Sequence, residues 1–142
     1  MKLKALALVA VSMMVLPIVA QEHLSTQDFK NKIWDYTKNS QALVMKSKVP
    51  VILDFYADWC RPCKMLAPEL IQIQKDYKGR VLVYKINIEQ EEELARIFGV
   101  QSIPTLYFIK PDGKYTATMG YRTQDELKQV IDSFFFNNNI KH

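Results

Sequence analysis

Two short and nearly continuous apolar runs constrain the fold of this chain most. They are "VPVILDFYA" at residues 49–57 and "RVLVYKINI" at residues 80–88, and both are rich in Val and Ile. Runs of this length without polar alternation are typical of strands that are buried on both faces. A segment with helical spacing of apolar residues follows each run. We therefore predict parallel strands joined by crossover helices, in a sheet that is covered on both sides.

Local signals place the remaining elements around these two strands. The chain-order prediction is a helix over residues 26–38, the strand from 51, a helix from the cysteine pair to about residue 77, the second strand, a helix over 89–99, two strands around an Asp112–Gly113 turn, and a last helix that opens with the Thr123–Glu126 capping box. The stretch 38–50 fits either a short edge strand or a loop. The predicted fold class is α/β, with a mixed, mostly parallel sheet of four to five strands.

The first twenty residues have the three parts of a secretory signal. "MKLK" is a short basic end, "ALALVAVSMMVL" is an apolar stretch of twelve residues, and "PIVA" ends in the small residue Ala20. The apolar stretch is short for a membrane span, although an uncleaved anchor stays open as an alternative. We expect a signal peptide at 1–20, a mature domain at 21–142, export, and a bacterial periplasm as the compartment.

Length and charge exclude several other classes of protein. The chain has 142 residues, which is a one-domain length, and we expect a monomer. Its 19 basic and 15 acidic residues give a net charge of +4, and without Lys2 and Lys4 the balance is 17 against 15, or +2. Because no basic stripe with interleaved aromatic residues is present, we predict no nucleic-acid partner.

The only two cysteines, Cys60 and Cys63, stand where a buried strand gives way to a helix. At that place the first sulfur faces unpaired backbone N–H groups and the positive end of the helix dipole, which favour the thiolate needed for disulfide exchange. A zinc site would need more ligands, and His23 and His142 lie near opposite termini, so no metal site is predicted. A staple across so short a loop would stabilise little. A redox pair is the favoured interpretation.

The segment "VILDFYADWCRPCKMLAPEL" resembles the active-site segment of the thioredoxin family, whose usual form is W-C-G-P-C-K after an apolar strand with a buried Asp. The resemblance continues through "VYKINIEQEEELARIFGVQSIPTLYFIKPDGK" and "MGYRTQDEL", and covers about residues 50–135. It implies the thioredoxin fold and a thiol:disulfide oxidoreductase that needs no bound cofactor beyond its own disulfide. The stretch 36–49 is longer than the resemblance predicts.

The resemblance also implies roles for two charged residues. Asp54 matches the buried acid that helps to deprotonate the resolving cysteine, and burial raises the pKa of such a carboxyl toward neutrality. Lys85 matches the basic partner of that acid across the neighbouring strand. The alternatives are an Asp with satisfied hydrogen bonds at a strand end and a solvated Lys at a sheet edge.

The resemblance places substrate contacts on both sides of the pair. Trp59 is expected to cover the nucleophile, although it could instead fill the core. Ile103–Pro104 matches the cis-proline loop, which exposes backbone to an extended substrate segment. Gly120 matches a glycine that admits a partner closely, or it ends a strand.

Two residues between the cysteines complete the candidate site. Pro62 lies in the first turn of the helix, where it removes no needed hydrogen bond. Arg61 replaces the usual glycine of the family, and this charge puts the direction of electron flow in question. Outside this pair, Tyr56 also departs from the family, which often has tryptophan at that place.

The expected function is reduction of disulfides in exported proteins. Cys60 attacks, a mixed disulfide forms, and Cys63 resolves it. A membrane protein that passes electrons outward is the implied donor. The alternatives are a thiol oxidase or isomerase, and a binding module of the same fold whose cysteines are incidental.

Overall fold

The computed structural model describes residues 20–136, in which the strands form one mixed sheet. The elements are, in chain order, β1 (Glu22–His23), α1 (Thr26–Lys32), β2 (Val51–Tyr56), α2 (Arg61–Tyr77), β3 (Leu82–Asn87), α3 (Glu92–Ile97), β4 (Thr105–Ile109), β5 (Tyr115–Met119), α4 (Gln124–Ile131) and a π-helical end (Asp132–Phe136). The strand order across the sheet is β1-β3-β2-β4-β5. The predicted elements are all present, and the two-residue β1 is additional.

The two apolar runs form the parallel centre of the sheet, as predicted. β2 and β3 pair in register from Val51 opposite Leu82 to Tyr56 opposite Asn87. Every residue of β2 is buried, which explains why its sequence lacks the polar alternation of a half-exposed strand.

β4 lies beside β2 and runs antiparallel to it, with Thr105 opposite Phe55. The connection from β3 to β4 contains the short helix α3, whose six residues span about 9 Å, whereas a strand of six residues spans about 20 Å. The helix by itself does not return the chain to the far end of the sheet, and β4 begins at the end where β3 stops. The antiparallel part therefore includes the β2–β4 pair as well as the β4–β5 hairpin.

Helices cover both faces of the sheet, and each face has its own apolar cluster. On one face α2 and α4 pack on residues that alternate along the strands, among them Ile52, Val83 and Leu106. On the other face α1 and α3 pack on the intervening residues, among them Leu53, Phe55 and Ile86. Side chains of β2 at even positions therefore point toward α2, the helix that carries the cysteines.

The first helix ends at Lys32 and does not reach residue 38 as predicted. The Asp35 carboxylate accepts hydrogen bonds from the backbone N–H and the hydroxyl of Thr37, and this local turn competes with helical hydrogen bonding. The stretch 38–50 contains neither helix nor strand, so the loop alternative is correct.

The predicted signal segment lies outside the described residues, apart from Ala20. Over residues 20–136, none of the helices has the length and apolar character needed to cross a membrane.

Candidate active site

Cys60 and Cys63 meet at the start of α2. Cys60 is the N-cap residue with extended backbone, and its Sγ accepts the backbone N–H of Cys63 at 3.3 Å. The two residues are joined by a disulfide, with their Cα atoms 5.3 Å apart, so the structure represents the oxidised form. The sulfur of Cys60 thus occupies the position that the helix N-terminus makes favourable for a negative charge.

The two cysteines are equally covered, since each is only 4% exposed. The position of Cys63 about one helical turn after Cys60 predicts that it lies further inside, but the exposed fractions of the two side chains do not differ. Their surroundings differ instead. Cys63 borders a cavity of about 210 Å³ whose lining is formed by Tyr56, Ala57, Asp58, Cys63, Lys64, Ala67 and Lys85.

Asp54 lies in the middle of β2 with its side chain on the face that α2 covers. It is 1% exposed, and its Oδ1 accepts no hydrogen bond from any residue in the described range 20–136. Burial raises the pKa of this carboxyl to about 7, and the positive charge of Lys85 acts in the opposite direction. Its place in the middle of the strand and its unpaired Oδ1 exclude the alternative of a strand-end Asp with satisfied hydrogen bonds.

Lys85 is the register partner of Asp54 on the neighbouring strand β3. It is half-buried and lines the cavity. Its Nζ lies 4.1 Å from the centroid of the Tyr56 ring. The predicted position beside the buried acid is confirmed, and the solvated-edge alternative is wrong because β1 pairs with the other side of β3.

The loop before β4 faces the cysteine pair. The Ile103–Pro104 peptide bond is cis, as predicted, and Ile103 packs against the cluster that contains both cysteines. Gly120 donates its N–H to the Pro104 carbonyl oxygen at 2.8 Å. Gly120 has a φ of +81° and open space where a side chain would project, so both a strand end and close access remain compatible with this glycine.

Large apolar side chains are exposed on the elements that carry the pair and the loop. Trp59 is 66% exposed, which excludes a role as core filler, and its indole N–H donates to Glu89 at 2.9 Å. Met65 on α2 and Met119 beside Gly120 are 51% and 66% exposed. The helical spacing of Met65 with Leu66 and Leu70 predicts that it packs in the core, but its side chain points away from the core. Glu89 is exposed, as the acidic run at residues 89–93 predicts.

Arg61 and Pro62 are the first two residues of α2, and both are exposed. They follow Cys60 directly in the chain and precede Cys63. Pro62 lacks an N–H at a position where the helix has no internal partner for it, as expected.

Over residues 20–136, no three His, Cys, Asp or Glu side chains lie close enough together to bind a metal ion.

Comparison with known proteins decides the family. The family model for thioredoxin matches residues 25–133. The chain belongs to the thioredoxin family. It is 38% identical to a thioredoxin of Borreliella burgdorferi over 112 residues, which cover 79% of this chain and 95% of that protein. It is 48% identical to thioredoxin 1 of Chlorobaculum tepidum over 89 residues, covering 63% of this chain and 88% of the relative.

A solved structure agrees with the sequence relatives. A crystal structure of chloroplastic thioredoxin z superposes with a TM-score of 0.67 at 25% identity, covering 83% of this chain and 96% of that one. The predicted thioredoxin fold is confirmed. Family membership and the disulfide-bonded C-x-x-C pair make this thioredoxin a thiol–disulfide oxidoreductase.

Proposed function

We propose that this thioredoxin is exported and reduces disulfides of other exported proteins. The observation that carries the reductase part is the placement of the pair. The Cys60 sulfur stands at the N-terminus of a helix of 17 residues, while Cys63 borders a cavity shared with Lys85. Disulfide reduction requires an attacking thiolate and a second thiol close enough to resolve the mixed disulfide.

The proposed reaction starts from the reduced pair. The Cys60 thiolate attacks one sulfur of a substrate disulfide, and the other substrate sulfur leaves as a thiolate. The Cys63 thiolate then attacks Cys60 Sγ, the mixed disulfide breaks, and the second substrate thiolate is released. Two electrons pass to the substrate, and the Cys60–Cys63 disulfide remains.

Asp54 is the proposed base for the second step. A pKa of about 7 leaves a useful fraction of its carboxyl ionised near neutral pH, so it can take the Cys63 proton directly or through one water. Lys85 assists by favouring the carboxylate. The proposed substrate contacts are Trp59, Arg61, Pro62, Ile103, Pro104 and Gly120.

Residues 1–20 support the compartment part of the proposal, because their basic, apolar and small-residue regions follow the order of a signal peptide. The mature domain is then 21–142 and works as a monomer in a bacterial periplasm. Because the systems that keep thiols reduced act in the cytosol, the proposed donor of the two electrons after each turnover is a membrane protein that passes electrons outward.

Export is tested by fractionation of cells that produce the full chain. Val11→Arg interrupts the apolar stretch of twelve residues and should hold the protein in the cytoplasm. The matched control is Val44→Arg, which places the same residue at a site that is 52% exposed in the folded domain and should leave export unchanged. N-terminal sequencing of the periplasmic form should begin at Gln21. If the wild-type protein stays in the cytoplasm, the export proposal is refuted, and the proposed disulfide chemistry is not affected.

The direction of electron flow is tested on the purified domain. Equilibration of the Cys60–Cys63 couple with glutathione should give a potential nearer to about −270 mV than to the about −120 mV of strong oxidants. The wild type should reduce insulin disulfides, and the Cys60→Ser variant should not. A potential near the oxidising value would favour the thiol oxidase or isomerase alternative, and reduction by Cys60→Ser would mean that the pair is incidental.

A further inference from the structure

Tyr56 differs from the residue that the family often has, and in this chain its ring is held by groups from two other strands. The ring is 7% exposed and forms part of the cavity wall. Lys85 Nζ on β3 lies 4.1 Å from the ring centroid. The Tyr56 hydroxyl shares a hydrogen bond of 3.0 Å with Nδ1 of His23 on β1. Tyr56 on β2 thus contacts side chains of both other strands of the parallel part of the sheet, β3 and β1.

The sheet register explains why these three side chains meet. β1 pairs with β3 so that His23 stands opposite Lys85, and β2 pairs with β3 so that Asp54 stands opposite the same lysine. The His23 and Tyr56 rings also contact each other edge to face, with centroids 5.7 Å apart. The hydrogen bond and this contact fix the orientation of the Tyr56 ring, and hence of the face that Lys85 approaches.

We propose that Tyr56 and His23 are positioning residues that hold the Lys85 ammonium in the active-site cavity, where its charge keeps Asp54 ionised for the resolving step. The inference deepens the proposed function and rests on the roles given there to Asp54 and Lys85. Tyr56 packs in the same apolar cluster as Cys60 and Cys63, but neither Tyr56 nor His23 takes part in the proposed sulfur exchange. They act through the lysine.

The physical reason lies in the freedom of a lysine side chain. Lys85 is only half-buried, and a flexible ammonium is better hydrated in open solvent than in a cavity. The face of an aromatic ring attracts a cation and compensates for part of this lost hydration. Burial opposes ionisation of the Asp54 carboxyl, whereas the positive charge of Lys85 favours it. The ionised fraction of Asp54 therefore depends on the distance between its carboxylate and the Lys85 ammonium.

Other polar and charged groups face Tyr56 from each element packed against it, and they have to be considered in any pH experiment. They are Asp54 and Asp58 along the same stretch of chain, Lys64 on α2, Lys85 and Asn87 on β3, and His23 on β1. Burial, together with the two aspartates, raises the pKa of Tyr56 above its ordinary value. The hydroxyl therefore stays protonated over the range in which Asp54 titrates, and its hydrogen bond persists.

The test follows the ionisation of Asp54 directly, by NMR of the ¹³C-labelled carboxyl in the oxidised protein, where the cysteines do not titrate. Tyr56→Leu removes the ring face, Tyr56→Phe removes only the hydroxyl, and Tyr56→Trp restores an aromatic face. Tyr107→Phe is the matched control, because it deletes a hydroxyl that bonds to the Phe98 carbonyl on the other face of the sheet. Each variant is also unfolded with urea to record its stability.

Tyr56→Leu should move the Asp54 midpoint upward by about half a pH unit, the change expected when an ammonium near a buried carboxylate retreats by about 2 Å. Tyr56→Phe and His23→Leu should give smaller upward shifts, Tyr56→Trp should remain near the wild type, and Tyr107→Phe should not move the midpoint. Lys85→Met should raise the midpoint by itself. Adding Tyr56→Leu to Lys85→Met should then have no further effect.

Two results would overturn the inference: an unmoved midpoint in Tyr56→Leu, or the same shift with and without Lys85. The second would mean that the ring acts by excluding water from Asp54. If Tyr56→Leu fails to fold, Tyr56→Phe and His23→Leu decide the question by the same midpoint. The proposed role of Asp54 as base fails separately, when Asp54→Asn leaves the rate of mixed-disulfide resolution unchanged.

Discussion

At the scale of single residues, the environment of each cysteine is what separates the two. Both are 4% exposed, yet Cys60 caps α2 and accepts the N–H of Cys63, whereas Cys63 borders the cavity that Lys85 lines. The helix N-terminus favours the thiolate form of Cys60 directly, whereas the proposed resolving step needs a base to take the proton of Cys63. We therefore expect Cys60 to attack the substrate and Cys63 to resolve the mixed disulfide.

We predict that Cys63→Ser accumulates mixed disulfides with client proteins through Cys60, because attack survives while resolution is lost. Non-reducing electrophoresis followed by mass spectrometry of the linked peptides measures this. Cys60→Ser is the matched control and should capture no clients. The opposite pattern, with capture through Cys63, would reverse the assigned roles.

Arg61 is exposed and adjacent to Cys60, and its charge should favour the reduced, thiolate form of the pair. A screened surface charge contributes about 0.7 kcal/mol, which corresponds to about 15 mV for a two-electron couple. We predict that Arg61→Gly makes the potential more negative by this amount, measured against glutathione, with insulin reduction retained. Arg61→Lys keeps the charge and should match the wild type. A shift in the positive direction would point to loop geometry or substrate contact instead of charge.

At the scale of elements, the loop over residues 38–50 contains most of the stretch 36–49, which is longer than the family resemblance predicts. It has no regular structure, but Leu43 and Met45 pack against the apolar cluster of the α1 and α3 face. The Leu43 carbonyl oxygen also lies close to Gly113, in the turn that joins β4 and β5. The loop is therefore fixed at its middle by a contact with the hairpin.

Two glycines test this contact. Gly113 and Gly79 have nearly the same φ, +83° and +79°. A Cβ at Gly113 would be 2.2 Å from the Leu43 oxygen, whereas one at Gly79 would meet nothing within 4 Å. Gly79→Ala should lower the free energy of unfolding by about 1–2 kcal/mol through backbone strain alone. Gly113→Ala should cost about 1–3 kcal/mol more, because the backbone of the loop has to move.

Urea unfolding at one temperature measures both variants. Equal losses of stability would mean that the loop shifts freely and that its contact with the hairpin contributes little to the fold.

At the scale of the whole molecule, one buried carboxyl links the stability of the fold to pH. The pKa of Asp54 is about 7 in the folded protein, against 3.8 for an ordinary Asp. Between these values the folded state keeps a proton that the unfolded state has lost. Stability therefore falls as the pH rises from about 4 to about 7, and the loss then remains at higher pH.

We predict that Asp54→Asn stabilises the oxidised protein above pH 7 and has little effect near pH 4. The upper bound on this gain in stability is a few kcal/mol, because each unit of difference between the folded and unfolded pKa corresponds to about 1.4 kcal/mol. Thermal or urea unfolding at a series of pH values measures the gain relative to the wild type. A gain of the same size at pH 4 and pH 8 would show that ionisation of Asp54 is not its source. The same variant should resolve mixed disulfides more slowly.

Local patterns were enough to predict most elements of this thioredoxin and the place of its redox pair. The two apolar strands, the capping box of α4 and the Asp112–Gly113 turn each depend on a few neighbouring residues, whose preferences survive in the fold. The family resemblance added the cis bond before Pro104 and the partnership of Asp54 with Lys85. The end of α1 was misplaced because the turn at Asp35 competes with an otherwise helical pattern.

Contacts between distant parts of the chain decided the rest. His23 reaches Tyr56 only because β1 joins the sheet beside β3, and a strand of two residues carries no periodic signal. The approach of Leu43 to Gly113, the exposure of Met65 and the equal cover of the two cysteines likewise depend on how loop, helix and sheet pack together. The sequence by itself determined which residues carry the sulfur chemistry, since a helix start acts on its own neighbours. Only the tertiary structure decided which charges and rings surround the buried acid, because strand register and packing bring together residues about thirty positions apart.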